Sequence, residues 1–184
     1  MKKEIFYISN LLSILRIVLL IPLSYLLIFK YQEYSSLIAG LILFMGFTDI
    51  LDGYTARKFN QVSELGKVID PIADKVSFIT IAIILVFKGL IPYWFLAVII
   101  LRDVLIVIFG LVLRKKIKIT LMSNYPGKIA ALSIGIILLF SAINNELLKT
   151  INSYLYYVSV ILILYSSYLY YSRYKKTIGE QKNA

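Results

Sequence analysis

The sequence predicts an all-α integral membrane protein of six transmembrane helices, and three observations predict it. The 184 residues are 60% hydrophobic and only 16% charged, whereas a soluble domain averages nearer half apolar and a quarter charged. The apolar residues fall into six runs, each of the length that crosses a hydrocarbon core of about 30 Å as a helix of about 20 residues. The basic residues gather on alternate connections between those runs, as they do around membrane helices.

The runs cover roughly residues 10–29, 35–56, 66–87, 92–113, 126–144 and 151–171. The first carries Arg16, is too long for a signal peptide and shows no small-residue cleavage site. Residues 1–9 leave room for a short interfacial helix before it. The second ends with Asp49 and Asp52, and the third begins with Asp70 and Asp74. The fourth has Arg102 and Asp103 near its middle, and Lys128 stands at the start of the fifth. Tyrosines such as Tyr31, Tyr34, Tyr93, Tyr154 and Tyr174, with Trp94, sit near span ends, where interfacial anchoring suffices to explain them. Connections are short, with no linker or low-complexity segment, so the chain reads as one domain, 1–184.

With the N-terminus in the cytoplasm, the inner segments hold Lys2, Lys3, Arg57, Lys58, Lys67, Arg114, Lys115, Lys116, Lys118, Lys128, Arg173, Lys175, Lys176 and Lys182. The outer loops hold only Lys30, Lys88 and Lys149, so fourteen stand against three. Both termini are therefore expected in the cytoplasm. The net charge of +10 is read as attraction to anionic lipid head groups, not nucleic acid, because the basic residues flank apolar runs.

There is no cysteine and no histidine. That excludes disulfides, thiolate chemistry and the commonest general base. Chemistry must run on carboxylates, lysines, arginines, hydroxyls or metals held by oxygen. Asp49, Asp52, Asp70 and Asp74 lie at the expected cytoplasmic ends of spans two and three. One ionised aspartate at a helix centre in a bilayer costs about 2.5–3.5 kcal/mol on insertion scales, and four together repel, so a cation must neutralise them. At 100° per residue, Asp49, Asp52, Gly53, Ala56 and Arg57 share one helical face, as do Gly66, Asp70 and Asp74 on the next helix. A short basic turn joins the two helices, which predicts antiparallel neighbours with converging acidic faces. An all-carboxylate set suits Mg²⁺, Mn²⁺ or Ca²⁺. Gly53 and Ala56 leave room for a ligand near the backbone, and Arg57 suits phosphate. Together these describe a diphosphate site, with in-line chemistry between two metal ions as its natural use.

The string Asp49-x₂-Asp52-Gly53-x₂-Ala56-Arg57-x₈-Gly66-x₃-Asp70-x₃-Asp74 matches the signature of the CDP-alcohol phosphatidyltransferases at all eight fixed positions. The stretch Asp52–Lys75, the opening Asn10-Leu11-Leu12-Ser13-x-x-Arg16 and the overall length resemble phosphatidylglycerophosphate synthases. The resemblance implies six transmembrane helices, a homodimer, and a two-metal site facing the cytoplasm of a bacterial-type inner membrane. It implies that Asp49, Asp52, Asp70 and Asp74 hold the metals and that Asp74 is the general base for the acceptor hydroxyl. It also implies a CDP pocket lined by Asp49, Asp52, Gly53, Ala56, Arg57, Gly66 and Asp70. The donor would be CDP-diacylglycerol, with CMP as the leaving group.

The acceptor is less legible. Phosphatidylglycerophosphate synthases usually show Arg-Glu where this chain has Arg102-Asp103, and Gly-Lys-x-Lys-Thr where it has Gly127-Lys128-Ile129-Ala130-Ala131. Arg-Asp is the form seen in CMP-forming cardiolipin synthases. The expected acceptor is sn-glycerol 3-phosphate, with phosphatidylglycerol second and an inositol phosphate or serine third. Arg102, Lys128, Arg114 and Lys75 are the candidate acceptor-binding residues, and Arg16 and the basic run 114–118 could also gather an anion. A helix-pairing role for Arg102 and Asp103 stands beside that reading, as does simple topology for the 114–118 run. A cation-coupled transporter is the rival from another class. It sits poorly with carboxylates near one membrane face and no inverted repeat of the motif.

Overall fold

A computed structural model describes residues 7–58, 66–117 and 125–182. Among these the chain is helical throughout, with no strand. The helices are α1 (Ile8–Phe29), α2 (Ser35–Lys58), α3 (Gly66–Phe87), α4 (Tyr93–Ile117), α5 (Tyr125–Ala142) and α6 (Glu146–Lys182). Each apolar run of the sequence lies within one of them or overlaps it closely. By length and composition four are able to cross a membrane: Ile8–Phe29, Ser35–Asp52, Tyr125–Ala142 and Glu146–Leu169. The other two helices carry charge inside their apolar stretches, α3 with Asp70, Asp74 and Lys75 and α4 with Arg102 and Asp103.

The chain divides into two compact units. The first contains α1, α2, α3 and the segment Leu138–Asn145 that ends α5. Its organiser is α1, which packs against both α2 and α3. The buried positions of α1 are Ser9, Asn10, Ser13, Arg16, Leu20, Leu23 and Leu27. Steps of three and four residues put them on a single stripe. The stripe is polar over its first half and leucine over its second. The leucines meet a core that includes Ile38, Met45, Ile81 and Leu85, while the polar half faces the acidic ends of α2 and α3. Helix α3 stops at a glycine-based cap. Gly89 has φ +69°, its N–H donates to the Val86 carbonyl at 2.9 Å, and the Leu90 N–H donates to the Leu85 carbonyl at 2.9 Å. This paired pattern satisfies carbonyls that the helix end would leave bare. Between α1 and α2, the Tyr31 hydroxyl donates to the Ser141 carbonyl at 3.1 Å and pins the connection to Leu138–Asn145.

The second unit contains α4, α5 up to Ile137, and α6. Trp94, Phe95, Tyr156 and Tyr157 form an aromatic cluster, with Phe95 and Tyr156 edge-on at 4.7 Å. Trp94, expected at a span end, therefore also packs. Ser159 donates to Ser133 at 2.7 Å, and Asn152 Nδ2 donates to the Ile137 carbonyl at 3.2 Å, so polar contacts join α5 and α6 where both are buried. Large apolar side chains cover the outer surface: Ile21, Ile50 and Phe87 are 70–79% exposed. Apolar area on this scale fits lipid contact and not water.

Candidate active site

The polar half of the α1 stripe meets all four aspartates. Arg16 is 3% exposed and carries the only guanidinium there among the described side chains. Its Nη1 lies 3.0 Å from Asp49 Oδ1, and its Nη2 donates to Asp52 Oδ2 at 2.5 Å. Nη1 also ion-pairs with Asp74 Oδ1, in a contact without hydrogen-bond geometry. The fourth carboxylate is held by a neighbour on the same stripe, since Ser13 Oγ lies 2.5 Å from Asp70 Oδ1. Ser13 Oγ is also 3.4 Å from Asp52 Oδ2 and 3.0 Å from the Ser9 carbonyl. A hydroxyl has one proton to donate, and the short contact assigns it to Asp70. Residues three apart on one helix thus grip carboxylates from two others.

The α2 and α3 carboxylates do converge, but among the described residues not through the direct pairing of those two helices that the sequence predicts: each packs on α1, and Arg16 and Ser13 of α1 bring their aspartates together. The cation that the sequence demanded for the cluster includes one that sequence reasoning assigned elsewhere. Arg16 was placed among residues gathering an acceptor, and Ser13 only in an opening motif. The signal for both was available: Ser9, Asn10, Ser13 and Arg16 recur every one to three residues on one face of an otherwise apolar span. Intramembrane polar residues that share a face need partners.

The carboxylates differ in access. Asp52 is buried, while Asp49 and Asp74 are 48% and 46% exposed. Four aspartates against one arginine leave a formal charge of −4 + 1 = −3. A donor set of carboxylate oxygens with that residual charge fits a divalent cation, which takes hard oxygen ligands. Among the described residues, no group of three acidic side chains is placed to hold one ion.

Gly66 is buried at the start of α3. Gly53, Ala56 and Arg57 lie in the last turns of α2, and their side chains lie outside the described residues, as does that of Arg114 near the end of α4. Lys118 lies outside them altogether. Lys75 is exposed on α3.

In the second unit, Arg102 Nη1 donates to Asp103 Oδ1 at 2.9 Å, and Nη2 donates to the Gly127 carbonyl at 3.2 Å. A 100° offset between adjacent helix positions argues against pairing Arg102 with Asp103, but the long arginine stem reaches around the helix to it. The second bond ties α4 to the first turn of α5 and brings Arg102 to the residue preceding Lys128, which is exposed.

Residues 6–165 match the CDP-alcohol phosphatidyltransferase family. The chain is 36% identical over 173 residues to the CDP-diacylglycerol–glycerol-3-phosphate 3-phosphatidyltransferase of Aquifex aeolicus, covering 86% of this chain and 90% of that one. It is 42% identical over 101 residues to the CMP-forming cardiolipin synthase of Rattus norvegicus, covering 54% of this chain and 32% of that protein. It is 38% identical over 107 residues to a cardiolipin synthase–mitochondrial hydrolase fusion protein of Schizosaccharomyces pombe, covering 58% of this chain and 18% of that protein. The chain thus spans nearly all of the first relative and a third or less of the other two. A match across most of the chain displaces the transporter reading: this protein is an integral membrane enzyme that belongs to the CDP-alcohol phosphatidyltransferase family.

Proposed function

We propose that the enzyme transfers a phosphatidyl group from CDP-diacylglycerol to sn-glycerol 3-phosphate, giving phosphatidylglycerophosphate and CMP. The observation that carries this reading is the near full-length similarity to the Aquifex aeolicus enzyme, whose name states that reaction. A second reading, phosphatidylglycerol as acceptor and cardiolipin as product, is favoured by the Arg102-Asp103 pair and by the identity to cardiolipin synthases over 101–107 residues. Inositol phosphate or serine acceptors rank behind both.

The proposed reaction is an in-line displacement at the phosphorus bonded to diacylglycerol. Asp49, Asp52, Asp70 and Asp74 would hold two divalent ions, Mg²⁺ foremost, with Mn²⁺ and Ca²⁺ as alternatives. When bound, such ions supply charge neutralisation on the diphosphate and its leaving oxygen. Gly53, Ala56, Arg57 and Gly66 would line the CDP side. Asp74 takes the proton from the acceptor hydroxyl: its side chain is half-open, so an incoming alcohol can reach it. Asp52, buried and held by Arg16, keeps the cluster in place. Arg102 and Lys128 would receive the acceptor's phosphate, and the first turn of α5, whose N–H groups lack helical partners, favours an anion beside them.

The topology that goes with this reading has six spans, both termini and the active site on the cytoplasmic side of a bacterial-type inner membrane, and a homodimer. The fourteen-to-three distribution of basic residues supports the orientation.

Detergent-purified enzyme given CDP-diacylglycerol and a panel of acceptors tests the assignment, with the lipid product identified by mass. Phosphatidylglycerophosphate as the main product is expected. Cardiolipin from phosphatidylglycerol, with no turnover of glycerol 3-phosphate, would establish the second reading.

A further inference from the structure

Arg16 is the one described side chain that touches three of the four motif aspartates. It comes from α1, outside the signature, and reaches partners 33, 36 and 58 residues away along the chain. It is almost wholly buried, and its Nε has no hydrogen-bond partner. A guanidinium is held in such a place by the surrounding negative charge and by little else. The oxygens it contacts, Asp49 Oδ1, Asp52 Oδ2 and Asp74 Oδ1, belong to carboxylates that a divalent ion would also use.

We propose that Arg16 is a positioning residue: a built-in counter-cation that holds the aspartates of α2 and α3 together and, by sharing their oxygens, weakens their grip on divalent metal. This rests on the metal reading of the site given above. The consequence is a trade. Each positive charge that Arg16 supplies is one that the metal does not need to supply, so the folded cluster tolerates low metal. The same charge repels an arriving cation at close range, where the protein interior screens poorly.

The test measures Mn²⁺ binding by electron paramagnetic resonance, and thermal stability in detergent with and without Mn²⁺, for full-length wild type, Arg16→Gln and Arg16→Lys. Arg16→Gln should melt lower than wild type before Mn²⁺ is added, recover most of the loss when it is added, and bind Mn²⁺ about tenfold tighter or more. Arg16→Lys keeps the charge and should stay within about threefold of wild type. If Arg16→Gln does not fold, Arg16→Met, which fills similar volume without a polar head, takes its place. Equal melting losses with and without Mn²⁺, at unchanged affinity, would make Arg16 a packing residue and overturn the proposal. So would charge-removing variants that fail to fold even in Mn²⁺ while Arg16→Lys folds. Looser Mn²⁺ binding in Arg16→Gln would also overturn it. Wild type that binds no Mn²⁺ would instead remove the metal reading itself, a different failure visible in a different sample.

Discussion

The four aspartates are not interchangeable residues. Asp52 is buried between Arg16 and Ser13, and Asp70 is taken by Ser13. Asp49 and Asp74 each give one oxygen to Arg16 and remain half-open. Asp49 and Asp74 thus both combine a held oxygen with access for an alcohol, and Asp74, the last carboxylate of the motif, is the one proposed as the base. Asp74→Asn preserves volume but cannot take a proton, and a general base typically contributes about 10²–10⁴-fold. The expected result is a fall in kcat of at least about a hundredfold while CDP-diacylglycerol still binds, measured as CMP release beside a donor-binding assay. A near wild-type rate would show that the proton goes elsewhere. The aspartates were legible because their spacing along two short stretches puts them on helical faces. The grip of Arg16 and Ser13 on them was not, because it depends on how α1 lies against α2 and α3, and spacing within α1 says only that those polar residues share a face.

The helices themselves were the most readable elements, since apolar length forecasts where a helix lies, although among the described residues only four are long and apolar enough to cross a membrane. The third was forecast at 66–87 and runs Gly66–Phe87. The sixth was forecast at 151–171 but runs Glu146–Lys182. Hydropathy sees only the part that must sit in lipid, whereas a helix continues through polar residues as long as nothing breaks it. The break after α3 is the opposite case. Gly89 has a left-handed φ of +69°, and a Cβ there would meet no atom within 4 Å. Gly89→Ala should therefore cost only the backbone strain, about 1–2 kcal/mol, seen as a lower melting temperature with kcat/KM for both substrates unchanged. A loss of activity at unchanged stability would contradict this. Between α4 and α5, Arg102 serves either the acceptor or the packing of the two helices, and its bond to the Gly127 carbonyl is compatible with both. Arg102→Gln and Lys128→Gln should raise the acceptor's KM more than that of CDP-diacylglycerol, lowering kcat/KM for the acceptor by about ten- to a hundredfold. A fall in melting temperature with no kinetic preference between substrates would assign Arg102 to packing.

On the scale of the whole molecule, composition and aspartate spacing act together. A chain that is 60% hydrophobic yet places four aspartates within 26 residues, Asp49 to Asp74, calls for a bilayer outside and for positive charge beside the aspartates, part of which Arg16 supplies. The division into two compact units was not legible, because the chain crosses between them three times, before α4, within α5 and before α6, and no composition shift marks these places. The acceptor is the other illegible property: the motif proposed to hold the donor lies in the first unit, and its residues carry no information about which alcohol attacks. The central claim is that the aspartate cluster transfers a phosphatidyl group with the help of divalent metal. The most direct measurement is CMP release from CDP-diacylglycerol and sn-glycerol 3-phosphate by the purified enzyme, before and after exhaustive chelation with EDTA. The account predicts that release stops on chelation and returns when Mg²⁺ or Mn²⁺ is restored. Turnover undiminished by chelation would contradict it.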